Sequence, residues 1–261
     1  MQSCIAADIQ AVNTVITHSL HSEVTLVNQV AHYIVNSGGK RLRPILVLLS
    51  GGLFGDVKPE HHQLAAVVEF IHTATLLHDD VVDESSKRRG QHTANAMFGN
   101  AASVLVGDFV YSRAFQMMVA VQNMRVMEVL SNATNIIAEG EVLQLLNVHN
   151  ADVTDEAYLR VIHYKTAKLF EAATRLGAII SNASPKDEEA LSKYGMHIGT
   201  AFQLIDDVLD LSGNALDIGK NLGDDLSEGK PTLPLLYAMR NGSAAEATTI
   251  KHAIEHGGLD D

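Results

Sequence analysis

The chain carries one short acidic pattern twice. Asp79-Asp80-Val81-Val82-Asp83 and Asp206-Asp207-Val208-Leu209-Asp210 both read Asp-Asp-x-x-Asp, and each follows a matching apolar approach, Thr73-Ala74-Thr75-Leu76-Leu77-His78 and Thr200-Ala201-Phe202-Gln203-Leu204-Ile205. Residues four apart lie on one face of a helix, so the spacing places Asp79 beside Asp83 and Asp206 beside Asp210 as two carboxylate claws. A pair of carboxylates 4 Å apart repels by roughly 4 kcal/mol at an effective dielectric near 20, and no base is interleaved among them. Such clusters need cations. All-oxygen ligation without Cys or regularly spaced His suits Mg²⁺, or Mn²⁺ in its place, better than zinc or iron.

Bases near the acids extend the pattern toward anionic substrates. Gly38-Gly39-Lys40-Arg41-Leu42-Arg43-Pro44 sets three cations behind a flexible turn, where two glycines allow the backbone close to an anion. Lys87-Arg88-Arg89-Gly90 follows the first acidic cluster within two turns, close enough for its cations to reach a diphosphate. Lys165-Thr166, Lys220 and Lys230, the last in Gly229-Lys230-Pro231-Thr232, are isolated bases near expected helix ends. His72, two turns before Asp79 on its face, could donate to an anion or be a core histidine satisfied by a neighbour. Together these residues describe a site for metal-bridged diphosphates with apolar tails.

What must position them is a helical scaffold. From Glu60 to Ser184 there is no proline, and apolar residues recur at intervals of three and four, as in Leu64, Val67, Val68 and Ile71. Sustained strand alternation is missing, so the expected fold class is all-α, a helical bundle around a central apolar cavity. The run from Leu64 to Val82 is apolar on nearly every face, as expected of a helix surrounded by others. Breaks are expected at Ser37-Gly38-Gly39, from Gly51 to Pro59, at Arg89-Gly90-Gln91, from Asn147 to Thr154, from Asn182 to Pro185, and from Ser212 to Pro234.

A length of 261 residues with 46% hydrophobic residues reads as one folded domain, residues 1–261. A single cysteine, Cys4, excludes an internal disulfide framework. The formal charge of -12 and the lack of a basic stripe argue against a nucleic-acid partner. With neither a signal-peptide pattern nor an apolar stretch of membrane-spanning length, the expectation is a cytoplasmic protein without a membrane anchor.

Asp79-Asp80-Val81-Val82-Asp83, Asp206-Asp207-Val208-Leu209-Asp210, Gly38-Gly39-Lys40-Arg41-Leu42-Arg43-Pro44, Arg88-Arg89-Gly90, Lys165-Thr166, Phe202-Gln203 and Gly229-Lys230-Pro231-Thr232 together resemble the trans-isoprenyl diphosphate synthases over nearly the whole chain. Within that family the stretch from Thr73 to Leu146 looks most like bacterial members whose product is an octaprenyl chain. The resemblance implies head-to-tail condensation of isopentenyl diphosphate with an allylic diphosphate. It implies about three Mg²⁺ held by Asp79, Asp83 and Asp206, with Asp80, Asp207 and Asp210 assisting. It places Lys40, Arg43, His72 and Arg89 on isopentenyl diphosphate, and Arg88, Lys165, Thr166, Gln203, Lys220 and Lys230 on the allylic substrate. Short-chain members carry bulky aromatics one turn above the first cluster, where this chain has Ala74 and Thr75, so a product near C40 is expected, closed lower down by Phe115 or Met118. The family implies a homodimer, and so apolar a product makes transient membrane contact plausible. Family members usually continue through further helices past the position of Asp261. A terpene cyclase and a non-catalytic subunit of a heteromeric prenyltransferase are the competing readings; the second cluster argues against the cyclase and the two intact clusters against the subunit, which the family's further helices keep open.

Overall fold

A computed structural model of the chain describes residues 5–88, 90–212 and 223–257. Its elements run α1 (Ala6–Ser19), α2 (Thr25–Asn36), α3 (Leu42–Gly52), α4 (Pro59–Val82), β1 (Lys87–Arg88), β2 (Gln91–His92), α5 (Ala94–Phe98), α6 (Asn100–Ala120), α7 (Met124–Asn147), α8 (Asp155–Ile162), a π-helical turn (His163–Ala167), α9 (Lys168–Ile180), α10 (Pro185–Ser212), α11 (Asp224–Ser227), α12 (Leu233–Asn241) and α13 (Ala244–His256). The helical expectation holds. Among the described residues, five of the six expected breaks fall between elements or within a residue of an element end; the sixth, from Ser212 to Pro234, contains the short helix α11, and its residues 213–222 lie outside the described residues. The segment from Lys87 to His92 is a short antiparallel hairpin pairing Lys87 with His92 and Arg88 with Gln91. Two residues per strand are too few for alternation to register in a sequence.

The residues form two compact units. The first comprises Met1–Thr134 and Leu169–Met196. At its heart α4 packs against α1, α2, α3, α5 and α6, and Leu64, Val67, Phe70, Ile71 and Leu77 have no exposed surface. Each such side chain contributes about 1.5–3 kcal/mol of burial. α4 begins cleanly because Pro59 occupies its first turn and the His61 ring accepts the Lys58 amide at 2.9 Å. α6 runs antiparallel to α4 in fixed register: Ser103 Oγ donates to the Leu77 carbonyl at 2.8 Å, and Gln63 Nε2 donates to the Met117 carbonyl at 2.8 Å. Gly107 makes room for His78, whose ring nitrogen would lie 2.4 Å from a Cβ there.

The second unit comprises Asn135–Lys168 and His197–Asp261. Its core gathers Val153, Tyr158, Ile162 and Leu236, with a second cluster of Ala151, Leu235 and Ile254. Thr154 caps α8 by accepting the Ala157 amide at 3.2 Å, and Ser243 and Glu246 form a capping box at the start of α13. Gly140 lets α7 close on the π-helical turn, since a Cβ there would stand 2.7 Å from the Lys165 backbone nitrogen.

Candidate functional site

Both acidic clusters sit in the last turns of long helices, α4 and α10. There the helix macrodipole is negative, so carboxylates add to an already unfavourable potential and cations are drawn to it.

In the first cluster the three aspartates divide into two environments. Asp79 and Asp83 are half-buried and share a face, as the i, i+4 spacing predicts. Asp80 points elsewhere and has no exposed surface. Its Oδ1 receives Arg88 Nε at 2.8 Å and Arg88 Nη2 at 2.7 Å. The hairpin explains how Arg88 gets there. α4 stops as Glu84 enters the left-handed region at φ 51° and the Ser85 amide folds back onto the Asp80 carbonyl at 3.0 Å. Asn95 Nδ2 braces that carbonyl at 3.0 Å, and Thr93 Oγ1 donates to the Ser85 carbonyl at 2.7 Å.

The second cluster is built differently. Asp206 is half-buried, whereas Asp207 and Asp210 are 3% and 4% exposed, so the second claw does not present an equally open pair. Asp207 Oδ1 accepts Gln203 Nε2 at 2.8 Å, and its Oδ2 accepts the hydroxyl of Tyr158 in a short hydrogen bond. Gln203 in turn accepts Thr166 Oγ1 at 2.9 Å. Asp210 Oδ2 accepts the Asp225 amide at 3.3 Å and so helps to fix the start of α11. Burial and the Asp207 carboxylate push the Tyr158 phenol well above its ordinary range, so it stays protonated as a donor.

Among the bases, Lys40 is exposed behind Gly38 and Gly39, whose φ values of 89° and 153° are open to glycine alone. Arg41 opens α3 in the left-handed conformation at φ 49°, ion-paired with buried Glu69 and donating to the Val35 carbonyl at 3.0 Å. It anchors the loop, a role the motif did not disclose. Arg43 lies over the Phe170 ring at 4.5 Å, and His72 is half-buried on the Asp79 face of α4. Lys165 leaves the π-helical turn to meet Glu141 at 2.6 Å, and Lys230 meets Glu228 at 2.5 Å. Local π-helix is rare and concentrates at functional sites. Arg89 and Lys220 lie outside the described residues. Thus the structure joins Asp80 to Arg88, and Thr166 to Gln203 and Asp207. Tyr158, Glu141 and Glu69 escaped sequence reading because each acts only through a partner far away in the chain.

Of the residues expected to set product length, Ala74 and Met118 are fully buried, while Thr75 and Phe115 are half-buried. Phe115 packs on Tyr111 with ring centroids 5.3 Å apart. The α4–α6 register puts Phe115 level with residue 65 and Met118 level with residue 62. That is roughly 14–18 Å below Ala74 at 1.5 Å per residue.

The sequence model described as polyprenyl synthetase matches residues 24–260. The chain belongs to the polyprenyl synthetase family. It is 56% identical to octaprenyl diphosphate synthase of Escherichia coli, over 97% of this chain and 78% of that protein. A crystal structure of a decaprenyl diphosphate synthase from Rhodobacter capsulatus superposes with a TM-score of 0.93 at 49% identity, covering 100% of this chain and 80% of that one. A polyprenyl synthase from Caulobacter crescentus, complexed with calcium and isoprenyl diphosphate, matches with a TM-score of 0.89 at 42% identity, covering 97% and 82%. This family member is a prenyltransferase with the helical fold of the polyprenyl synthases. These likenesses favour the synthase reading over the cyclase and the non-catalytic subunit. Among the described residues no helix is long and apolar enough to cross a membrane.

Proposed function

We propose that this prenyltransferase is a long-chain all-trans polyprenyl diphosphate synthase. It extends an allylic diphosphate such as farnesyl diphosphate with isopentenyl diphosphate to a product near C40, of the kind that forms quinone side chains. The observation that carries this reading is the pair of Asp-Asp-x-x-Asp clusters at helix C-termini, in a chain 56% identical to an octaprenyl diphosphate synthase.

The donor set fits Mg²⁺. Among the described residues no three His, Cys, Asp or Glu side chains form a protein-only metal cage. Mg²⁺ is ordinarily held by one or two carboxylates, with substrate phosphates and water completing its shell. Asp79, Asp83 and Asp206, the half-buried members, would hold about three such ions, and Mn²⁺ could take their place. Bound there, Mg²⁺ neutralises the diphosphate and makes it a leaving group.

The remaining roles fall to the chain's own groups. Asp80, Asp207 and Asp210 assist through the contacts that fix their helices. Arg88, Lys165, Thr166, Gln203, Lys220 and Lys230 face the allylic diphosphate; Arg88 gives two N–H groups to Asp80 and, with five in its fork, retains others for an anion. Lys40, Arg43, His72 and Arg89 hold isopentenyl diphosphate. As the allylic C–O bond breaks, its electron pair leaves with diphosphate. The double bond of isopentenyl diphosphate forms the new carbon–carbon bond, and the released diphosphate accepts the proton lost afterwards. No side-chain base is required. Ala74 and Thr75 leave the growing chain a path, and Phe115 and Met118 close it. The enzyme works as a cytoplasmic homodimer, docking transiently on membrane to release its product.

The test is incorporation of radiolabelled isopentenyl diphosphate onto farnesyl diphosphate, with product length read by chromatography, with and without EDTA. A metal-dependent ladder ending near C40 supports the reading. Metal-dependent release of a cyclic hydrocarbon, or no incorporation by folded protein that binds both diphosphates, would overturn it.

A further inference from the structure

Tyr158 is buried in α8 among Val153, Ile162 and Leu236. That cluster requires an aromatic ring and has no use for a hydroxyl, because phenylalanine would bury the same apolar area without a polar atom to satisfy. The hydroxyl serves Asp207. With Gln203 on Oδ1 and Tyr158 on Oδ2, both carboxylate oxygens of Asp207 accept hydrogen bonds from the protein, and Thr166 continues the chain from Gln203. Successive residues of a helix point about 100° apart. Fixing Asp207 therefore sets the rotation of α10 and leaves its neighbour Asp206 on the accessible side. The Leu233 backbone also bears on the phenol, and Leu233 opens α12 directly behind the Gly229–Thr232 turn that carries Lys230.

We propose that Tyr158 is a positioning residue for the second aspartate cluster: its hydroxyl holds Asp207 inward so that Asp206 faces outward to bind metal-bridged diphosphate. This rests on the synthase reading, and one set of variants separates the two. The full chain, Tyr158→Phe and Leu236→Ala are titrated with inorganic diphosphate at a series of Mg²⁺ concentrations by calorimetry, and isopentenyl diphosphate turnover is measured alongside. Removing a group that orients a metal ligand ordinarily costs 10–100-fold in metal affinity or activity. The Mg²⁺ concentration that half-saturates diphosphate binding should therefore rise about tenfold or more in Tyr158→Phe, with KM for isopentenyl diphosphate within about twofold of the parent. Leu236→Ala, which loosens the same core but keeps the hydroxyl, should lower Tm and leave the Mg²⁺ curve in place. The double variant Asp207→Asn with Tyr158→Phe should shift it by less than the sum of the two single shifts, since the changes share the Tyr158–Asp207 contact. An unmoved curve in Tyr158→Phe, an equal shift in Leu236→Ala, or additive shifts in the double variant would overturn the assignment. Diphosphate binding is read whether or not product forms, so absence of turnover in the unaltered chain tells against the synthase reading alone.

Discussion

Arg88→Met should destabilise the protein through Asp80. Asp80 is fully buried and takes both of its contacts with Arg88 on one oxygen, so the substitution removes a charged partner from a carboxylate in the interior. Breaking a buried pair from one side costs about 3–5 kcal/mol, and the lower figure applies because Arg88 keeps 24% of its side chain exposed. For a chain of this size about 3 kcal/mol corresponds to a Tm lower by about 6–12 °C. Removing the buried charge as well, in Asp80→Asn with Arg88→Met, should recover about half of that loss. Asp79→Asn and Asp83→Asn should instead hold Tm within about 2 °C, because both carboxylates are half-exposed and removing one relieves repulsion, yet abolish Mg²⁺-dependent turnover. Circular-dichroism melts of the five proteins, with turnover measured in parallel, are sufficient. A Tm within about 2 °C of the parent for Arg88→Met, or no recovery in the double variant, would refute the division of the cluster into a structural aspartate and two that bind metal.

Ala74→Phe should shorten the product, seen on chromatography as a ladder ending below C40, at a packing cost of about 1–3 kcal/mol because Ala74 is fully buried; an unchanged ladder would show that the growing chain does not pass this position. In Gly140→Ala the new Cβ would lie 2.7 Å from the Lys165 amide nitrogen, so the π-helical turn must shift. KM for the allylic diphosphate should rise and Tm fall, the latter by about 1–3 kcal/mol in stability. The His61 pKa is lowered from 6.5, chiefly by burial, against a smaller opposing contribution from the Gly177 carbonyl. His61 thus stays neutral in the fold while the unfolded chain takes up a proton below pH 6.5, so its contribution is full above that pH and declines as pH falls toward the folded value. The Tm gap between parent and His61→Gln should accordingly narrow from pH 7.5 to pH 5, and a constant gap would contradict the assignment.

The sequence by itself determined the helical class and the chemistry. Apolar spacing over long proline-free stretches is a local property that helix geometry converts directly into buried faces, which is why α4 and the breaks around it were legible. Asp79 beside Asp83 was equally legible, because i, i+4 adjacency is internal to one helix. Which member of each cluster remains available to a ligand was decided only by tertiary structure. Asp80 is withdrawn by an arginine returned on a two-residue hairpin, and Asp207 by a tyrosine 49 residues away in sequence. Arg41, alike in sequence to Lys40 and Arg43, became an anchor because folding set buried Glu69 opposite it. The π-helical turn around Lys165 likewise coincides with the closeness of Gly140, which no periodicity encodes. Residue type and spacing specify what a side chain can do, whereas the partner that restrains or exposes it comes from another part of the chain and is fixed only when the helices pack.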